Sequence, residues 1–286
     1  MSGIRERLRF ACEWPIRTLT TSLLSHPLWG HFIPFIPNGT RSWYIFPQPF
    51  VPEGGSGLPI PPRELWRDLV GSEGEFLESG RADTRALAAA VRPHLPQDAD
   101  SVLDFGCGAG RMTRWMKEEL GFAQVLGTDL DSTRASWCVN NLGGYGRFWT
   151  STSHPHLPLR DASIDLVVCG SVFTHIDDLS EAWLMELARI IRPQGLLYVT
   201  IHDEAAIAWL NAHHPGAWLL RKLRSHRQGS VHVEKMARKV VVGRFNRSQV
   251  FYQRSYFIDS ISRDFTHVET IERGFGFQTA LVFRRF

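Results

Sequence analysis

Residues 102–111 read Val102-Leu103-Asp104-Phe105-Gly106-Cys107-Gly108-Ala109-Gly110-Arg111, a short apolar run, a tight glycine turn and a helix start. Glycines admit positive φ and let a ligand approach the bare backbone closely. The helix N-terminus adds free N–H groups and positive potential, which suit a carboxylate. Asp104, at the end of the run, faces the crevice in which open α/β sheets bind ligands. A dinucleotide fingerprint would need glycine at position 111, and Arg111 stands there instead. The Asp104 carboxylate would repel a pyrophosphate but can accept hydrogen bonds from an ammonium group. The turn therefore suits a ligand with an amino-acid end. Asp129 follows the next apolar run, where one carboxylate can accept from both hydroxyls of a ribose.

Outward from this turn the pattern alternates between helix and strand. Helical spacing is predicted over 81–94, 112–120, 132–141 and 180–191, and strands over 101–105, 124–127, 148–149, 164–169 and 196–201. Such alternation builds a doubly wound, mostly parallel α/β sheet with helices on both faces. A further helix is expected over 256–265, with strands at 268–272 and 279–283. The gap 273–278 is too short for a crossover helix, so these two strands must form a C-terminal antiparallel hairpin. Residues 203–250 interrupt the alternation as an insertion after strand five. The expected division is an N-terminal arm at 1–62 and a main domain at 63–286 that carries this insertion as a cap. Trp29, Phe32, Phe35, Trp43, Tyr44, Phe46 and Phe50 alternate with five prolines in the arm, which rules out long helices there and is too apolar for a disordered tail.

These motifs resemble the class I, S-adenosylmethionine-dependent methyltransferases. Asp104 to Gly110 is similar to the family's first motif and Gly127-Thr128-Asp129 to its second. His156-Leu157-Pro158-Leu159-Arg160-Asp161-Ala162-Ser163-Ile164-Asp165-Leu166-Val167 resembles the loop and fourth strand, and Ala188-Arg189-Ile190-Ile191-Arg192-Pro193-Gln194-Gly195 the turn before the fifth. The resemblance covers 81–202 clearly and 252–284 more loosely. It implies a Rossmann-like methyltransferase fold. It also implies that Asp104, Gly106, Gly108 and Gly110 hold the methionine portion of S-adenosylmethionine and that Asp129 grips the ribose. The adenine contact falls at about Ser153, where the family more often has Asp.

Two histidines lie at expected strand ends. His175 follows strand four in Ser171-Val172-Phe173-Thr174-His175, and His202 follows strand five in Thr200-Ile201-His202-Asp203. Either is a candidate catalytic base for a hydroxyl or amine acceptor. Either can equally be a structural histidine bonded to backbone. Asp203 orients the ring of His202 or caps a helix at Glu204. Trp209, Trp218, Phe245, Phe251 and Tyr252 stack on an acceptor or, the plainer reading, pack the insertion. Arg221, Lys222, Arg224, His226 and Arg227 form a solvated basic face or meet a phosphate or anionic lipid, a weak membrane-surface contact at most. The resemblance places this chain nearest to bacterial saccharide or natural-product methyltransferases. A small-molecule or saccharide hydroxyl is thus the first expected acceptor, with amines and aromatics next. A nicotinamide dehydrogenase and a non-catalytic cofactor-binding module are the rival classes.

Bulk properties narrow the field. At 43% hydrophobic, 21% charged and net charge +3, the chain has the composition of a globular protein, and no polyanion partner is implied. No extended basic tract and no amino-group motif after strand four point to nucleic acid. No apolar run approaches the roughly 18 residues a membrane span needs. Cys12, Cys107, Cys138 and Cys169 are scattered, so no metal site or disulfide framework is expected, and a cytoplasmic setting fits. Oligomeric state has no signature in the sequence.

Overall fold

The computed structural model describes residues 58–66, 70–226, 238–243 and 248–286. The arm up to residue 57, Phe245 and Arg227 lie outside the described residues.

Strands β1 (Ser101–Phe105), β2 (Gln124–Asp129), β3 (Arg147–Thr150), β4 (Ile164–Cys169), β5 (Ile191–Ile201), β8 (Phe265–Phe275) and β9 (Gln278–Arg285) form one sheet in the order β3-β2-β1-β4-β5-β9-β8. The first five are parallel; β9 runs antiparallel to β5, and β8 antiparallel to β9. The order reverses at β1, so the ends of β1, β2 and β4 border the switch-point crevice where such sheets bind ligands.

Both faces of the sheet are buried, and the period-two alternation of the strands sorts the residues between them. Val102, Val125, Leu166, Val168, Leu196 and Val282 face one cluster with α1 (Glu73–Val91) and α2 (Thr113–Leu120). Leu103, Leu126, Val167, Leu197, Val199 and Leu281 face the opposite cluster with α4 (Ser180–Ile190) and α7 (Arg254–Ile261). Between β2 and β3 runs α3 (Ser132–Asn141), capped by Asp131, whose carboxylate accepts from the Thr133 and Arg134 amides.

Several boundaries differ from the sequence expectation; the helix expected over 256–265, for example, is α7 and ends at Ile261, with Phe265 already in β8. Helix α1 starts eight residues early, at Glu73, because the Ser72 hydroxyl accepts from the Glu75 amide, a cap worth about 1 kcal/mol. Gly80 does not end that helix. A Cβ there would stand 2.2 Å from the Arg111 carbonyl oxygen, so this glycine lets α1 pack onto the turn before α2. Strand β5 begins at Ile191 and runs through Pro193 and Gly195, accommodated by an irregularity in its pairing with β4 between Ile164 and Leu166. The terminal hairpin is antiparallel as expected, but its strands are 11 and 8 residues long and only positions 276 and 277 connect them.

The insertion folds as α5 (Glu204–His213), α6 (Trp218–His226), β6 (Lys239–Val242) and β7 (Gln249–Tyr252), with β6 and β7 paired antiparallel. It has its own core of Ile207, Leu210, Leu219, Leu220, Leu223, Val240, Val242 and Phe251. Asp203 anchors it to the main body. This fully buried carboxylate caps α5 through the Ala206 amide at 2.9 Å, accepts from Thr279 at 2.8 Å and pairs with Arg254 at 2.7 Å.

Candidate functional site

The glycine turn hangs on the neighbouring strand: the amides of Gly106 and Cys107 both donate to the Thr128 carbonyl, at 2.8 and 3.0 Å. Gly108 and Gly110 both hold positive φ, +55° and +71°, but their surroundings differ. A Cβ on Gly110 would lie 2.3 Å from Leu142 Cδ1, so that glycine serves packing. Among the described residues a Cβ on Gly108 would meet nothing within 4 Å, so none of them covers the bare backbone at 108.

Asp129 sits half-buried at the end of β2. Its Oδ2 accepts from the Gly108 amide at 2.7 Å and its Oδ1 from the Asp131 amide at 2.8 Å. Each oxygen keeps a further lone pair for a hydroxyl. Burial raises its pKa, against the two amide hydrogen bonds that lower it. Asp104 is buried on β1 and bonded by the Thr113 hydroxyl at 2.5 Å. Burial pushes its pKa up to about 6; the Thr113 bond opposes the shift, the Asp129 charge adds to it and Arg111 opposes it. Arg111 does not neutralise the pair, because its guanidinium is engaged with Asp83 at 2.7 Å and Ser79 at 3.1 Å on α1. Two desolvated carboxylates thus border an uncovered peptide. Such a site favours a cationic ligand with hydroxyls and disfavours a diphosphate.

His175 lies beyond β4 in a loop tied to β7, since the Val250 amide donates to the Thr174 carbonyl at 2.8 Å. Its Nδ1 is 3.0 Å from the Ser248 carbonyl oxygen, with the Gln249 amide 3.2 Å from the same nitrogen. The Ser248 carbonyl only accepts, so that contact calls for a proton on Nδ1 and leaves a lone pair on Nε2, whereas the Gln249 side-chain nitrogen would donate to the opposite tautomer. Desolvation lowers the pKa of His175; the Ser248 bond opposes this, and the Lys222 charge adds to it. His202 ends β5, is 3% exposed and lies between Phe277, stacked at 5.2 Å, and Phe251, tilted at 5.3 Å. Burial drops its pKa to about 3, with His175 nearby lowering it further and the Val250 backbone raising it. Its Nδ1 is buried with no hydrogen-bond partner. Asp203 is the helix cap and does not orient this ring.

Sequence reading missed a polar network at the ends of β4, β5 and β9. Thr200 donates to Gln278 Oε1 at 2.6 Å and accepts from the Ser171 amide at 2.7 Å, and Gln278 Nε2 donates to the Ser171 hydroxyl at 2.8 Å. Ser171 itself holds φ +58°. Gln278 is 107 residues from Ser171, so only the antiparallel placement of β9 brings them together.

Residues 103–199 match the family model described as a methyltransferase domain. The stretch from β1 to β5 is thus a methyltransferase domain, consistent with the class I S-adenosylmethionine-dependent methyltransferases. A malonyl-[acyl-carrier protein] O-methyltransferase of Hahella chejuensis is 30% identical over 129 residues, 45% of this chain and 42% of that protein. A protein of the same name from Geobacter sulfurreducens is 29% identical over 117 residues, 41% of this chain and 43% of the other. The chain therefore matches under half the length of these curated relatives. A crystal structure of a Pyrococcus horikoshii protein aligns over 78% of this chain and 99% of its own, with TM-score 0.50 at 16% identity, and shares the fold.

A methyltransferase domain points to S-adenosylmethionine as the cofactor, and the geometry fits it. The paired carboxylates match a ligand carrying an ammonium, a sulfonium and a ribose diol, and the uncovered Gly108 leaves room for its approach. Ser153 lies on an exposed bend past β3, with its neighbour Ser151 buried and its amide bonded to the Asp129 carbonyl at 3.0 Å. The bulky residues of the insertion divide. Phe251 and Trp209 pack its core, Tyr252 joins the main core, and Trp218 is 56% exposed with Lys222 5.7 Å from its ring. Among the described residues no helix is long and apolar enough to cross a membrane.

Proposed function

We propose that this chain is an S-adenosylmethionine-dependent O-methyltransferase that methylates a hydroxyl of a small molecule or saccharide, with His175 as the base. The observation that carries this reading is the 3.0 Å contact of His175 Nδ1 with the Ser248 carbonyl, which favours a proton on Nδ1 and leaves Nε2 able to take one. The bound cofactor supplies a methyl carbon already activated by a sulfonium leaving group. Asp104 and Gly108 hold the methionine end, Asp129 holds the ribose, and Ser153 lies beside the adenine. His175 Nε2 takes the hydroxyl proton as the oxygen becomes nucleophilic. His202 stays neutral at physiological pH and, 3% exposed between Phe251 and Phe277, packs beneath the site rather than acting as a base. Most of the acceleration comes from alignment and exclusion of water.

A second reading follows from the curated relatives, which are named for a malonyl-carrying protein. Its acceptor is a carboxylate, already deprotonated, and the Lys222 charge near His175 would favour such an anion. Turnover with a panel of hydroxyl and carboxylate acceptors, measured for the wild type and His175→Ala, separates the two. Hydroxyl methylation that collapses in the variant supports the first. Carboxylate methylation indifferent to the variant supports the second.

A further inference from the structure

We propose that Cys107 and Cys138 form a redox-active dithiol that a peroxide closes to a disulfide across the cofactor loop. The two residues are 31 positions apart, one in the glycine turn and one on α3, and the fold brings both sulfurs to a single atom. Cys107 Sγ lies 3.6 Å and Cys138 Sγ 3.5 Å from the Gly108 carbonyl oxygen. Both belong to one buried apolar cluster with Val139, Leu142 and Phe148. Adjacent glycines make room for the pair: Cys107 Sγ is 3.3 Å from the Cβ position of Gly127, and Cys138 Sγ is 3.3 Å from that of Gly110. The scatter of cysteines along the sequence hides this pairing.

The Gly108 carbonyl that both sulfurs share lies in the peptide after Gly108 and the amide held by Asp129 in the peptide before it, so this one residue links the dithiol to the carboxylate. Lifting this turn exposes the dithiol, and Cys107, 6% exposed against 0% for Cys138, is the sulfur reached first. Its thiolate attacks one peroxide oxygen, the O–O bond breaks, and hydroxide leaves and takes up a proton as water. The resulting sulfenic sulfur is attacked by Cys138, the S–O bond breaks, and a second water leaves with the remaining thiol proton. Two thiols and hydrogen peroxide give one disulfide and two waters; the sulfurs lose two electrons and the peroxide gains them. The disulfide removes both S–H donors from the Gly108 carbonyl and fixes the turn to α3. A ligand seated on Gly108 holds the turn down and protects the pair; the Cys138 hydrogen bond and burial, which push the Cys107 thiol up, keep the closed form slow to react.

The test treats the folded full chain with hydrogen peroxide, then denatures, alkylates and maps the peptides by mass. The expected result is two fewer alkylated cysteines of the four, a linked peptide pair carrying Cys107 and Cys138, and reversal by dithiothreitol. Cys107→Ser and Cys138→Ser should each abolish the linked pair, and S-adenosylhomocysteine should slow its formation. The mass readout in ligand-free protein does not depend on the cofactor reading. Four alkylated cysteines after treatment, or a linkage through Cys12 or Cys169, would overturn the proposal. The oxidised wild type should bind S-adenosylhomocysteine about tenfold more weakly, an ordinary size for coupling between sites. Unchanged affinity in the disulfide form would overturn the coupling to the loop.

Discussion

Gly108 and Gly110 sit two residues apart with similar backbone angles, yet substituting alanine should do opposite things to them. At Gly108, φ +55° costs an L-residue about 1 kcal/mol, and the new methyl meets no atom within 4 Å. In a chain of this size that lowers Tm by about 2–4 °C. The methyl instead occupies the space above the turn that the cofactor should use, so S-adenosylhomocysteine affinity should fall at least about tenfold, or ~1.4 kcal/mol. At Gly110 the same backbone cost is joined by a methyl 2.3 Å from Leu142 Cδ1 and 3.3 Å from Cys138 Sγ. Overpacking of that kind adds about 1–3 kcal/mol, so the Gly110→Ala fold should lose about 2–4 kcal/mol in total. Differential scanning calorimetry reads the stabilities and isothermal titration the affinities. Gly108→Ala binding with wild-type affinity would show that nothing approaches the turn at that point.

Asp104→Asn should stabilise the ligand-free protein. A folded-state pKa of about 6 against 3.8 means the native state binds the extra proton between those values, so stability contributed by Asp104 falls as pH rises from 4 to 6 and stays low above it. The deficit is at most about 3 kcal/mol at pH 7.5, so the amide should raise Tm there, lose that advantage below pH 4, and weaken S-adenosylhomocysteine binding. A lower Tm at pH 7.5 would reverse the sign of the argument. His175, with its pKa held below 6.5, should give a rate that rises through a pKa under that value and is flat above pH 7. His175→Ala should remove this limb and about a hundredfold of kcat on a hydroxyl acceptor, whereas a His175→Ala rate equal to that of the wild type would rule the base out. Asp203→Ala strands Arg254 and Thr279 and uncaps α5, so urea denaturation should report a loss of about 3 kcal/mol; a loss under 1 kcal/mol would contradict the anchor.

What could be read from the sequence was local. The turn at 106–110, Asp104 and Asp129 declare themselves because ten consecutive residues carry the strand, the turn and the helix start, and the acid follows the very next strand. The terminal hairpin was legible because loop length alone forbids a crossover. The start of α1 was not, because Gly80 reads as a breaker until Arg111 is packed against it. The environment of His175 comes from Ser248, 73 residues on, and the network of Ser171, Thr200 and Gln278 joins three strand ends. No local pattern encodes which residues a distant strand brings alongside. The burial of His202 between two phenylalanines, one from the insertion and one from the hairpin turn, is set in the same way.

The central claim is that the carboxylates beside the glycine turn hold S-adenosylmethionine and exclude a dinucleotide. Isothermal titration of the wild type and Asp129→Ala with S-adenosylhomocysteine and with NAD tests it directly. The account predicts saturable one-site binding of S-adenosylhomocysteine, about 1–3 kcal/mol weaker in Asp129→Ala, and no binding of NAD. Saturable NAD binding with no heat from S-adenosylhomocysteine would contradict it.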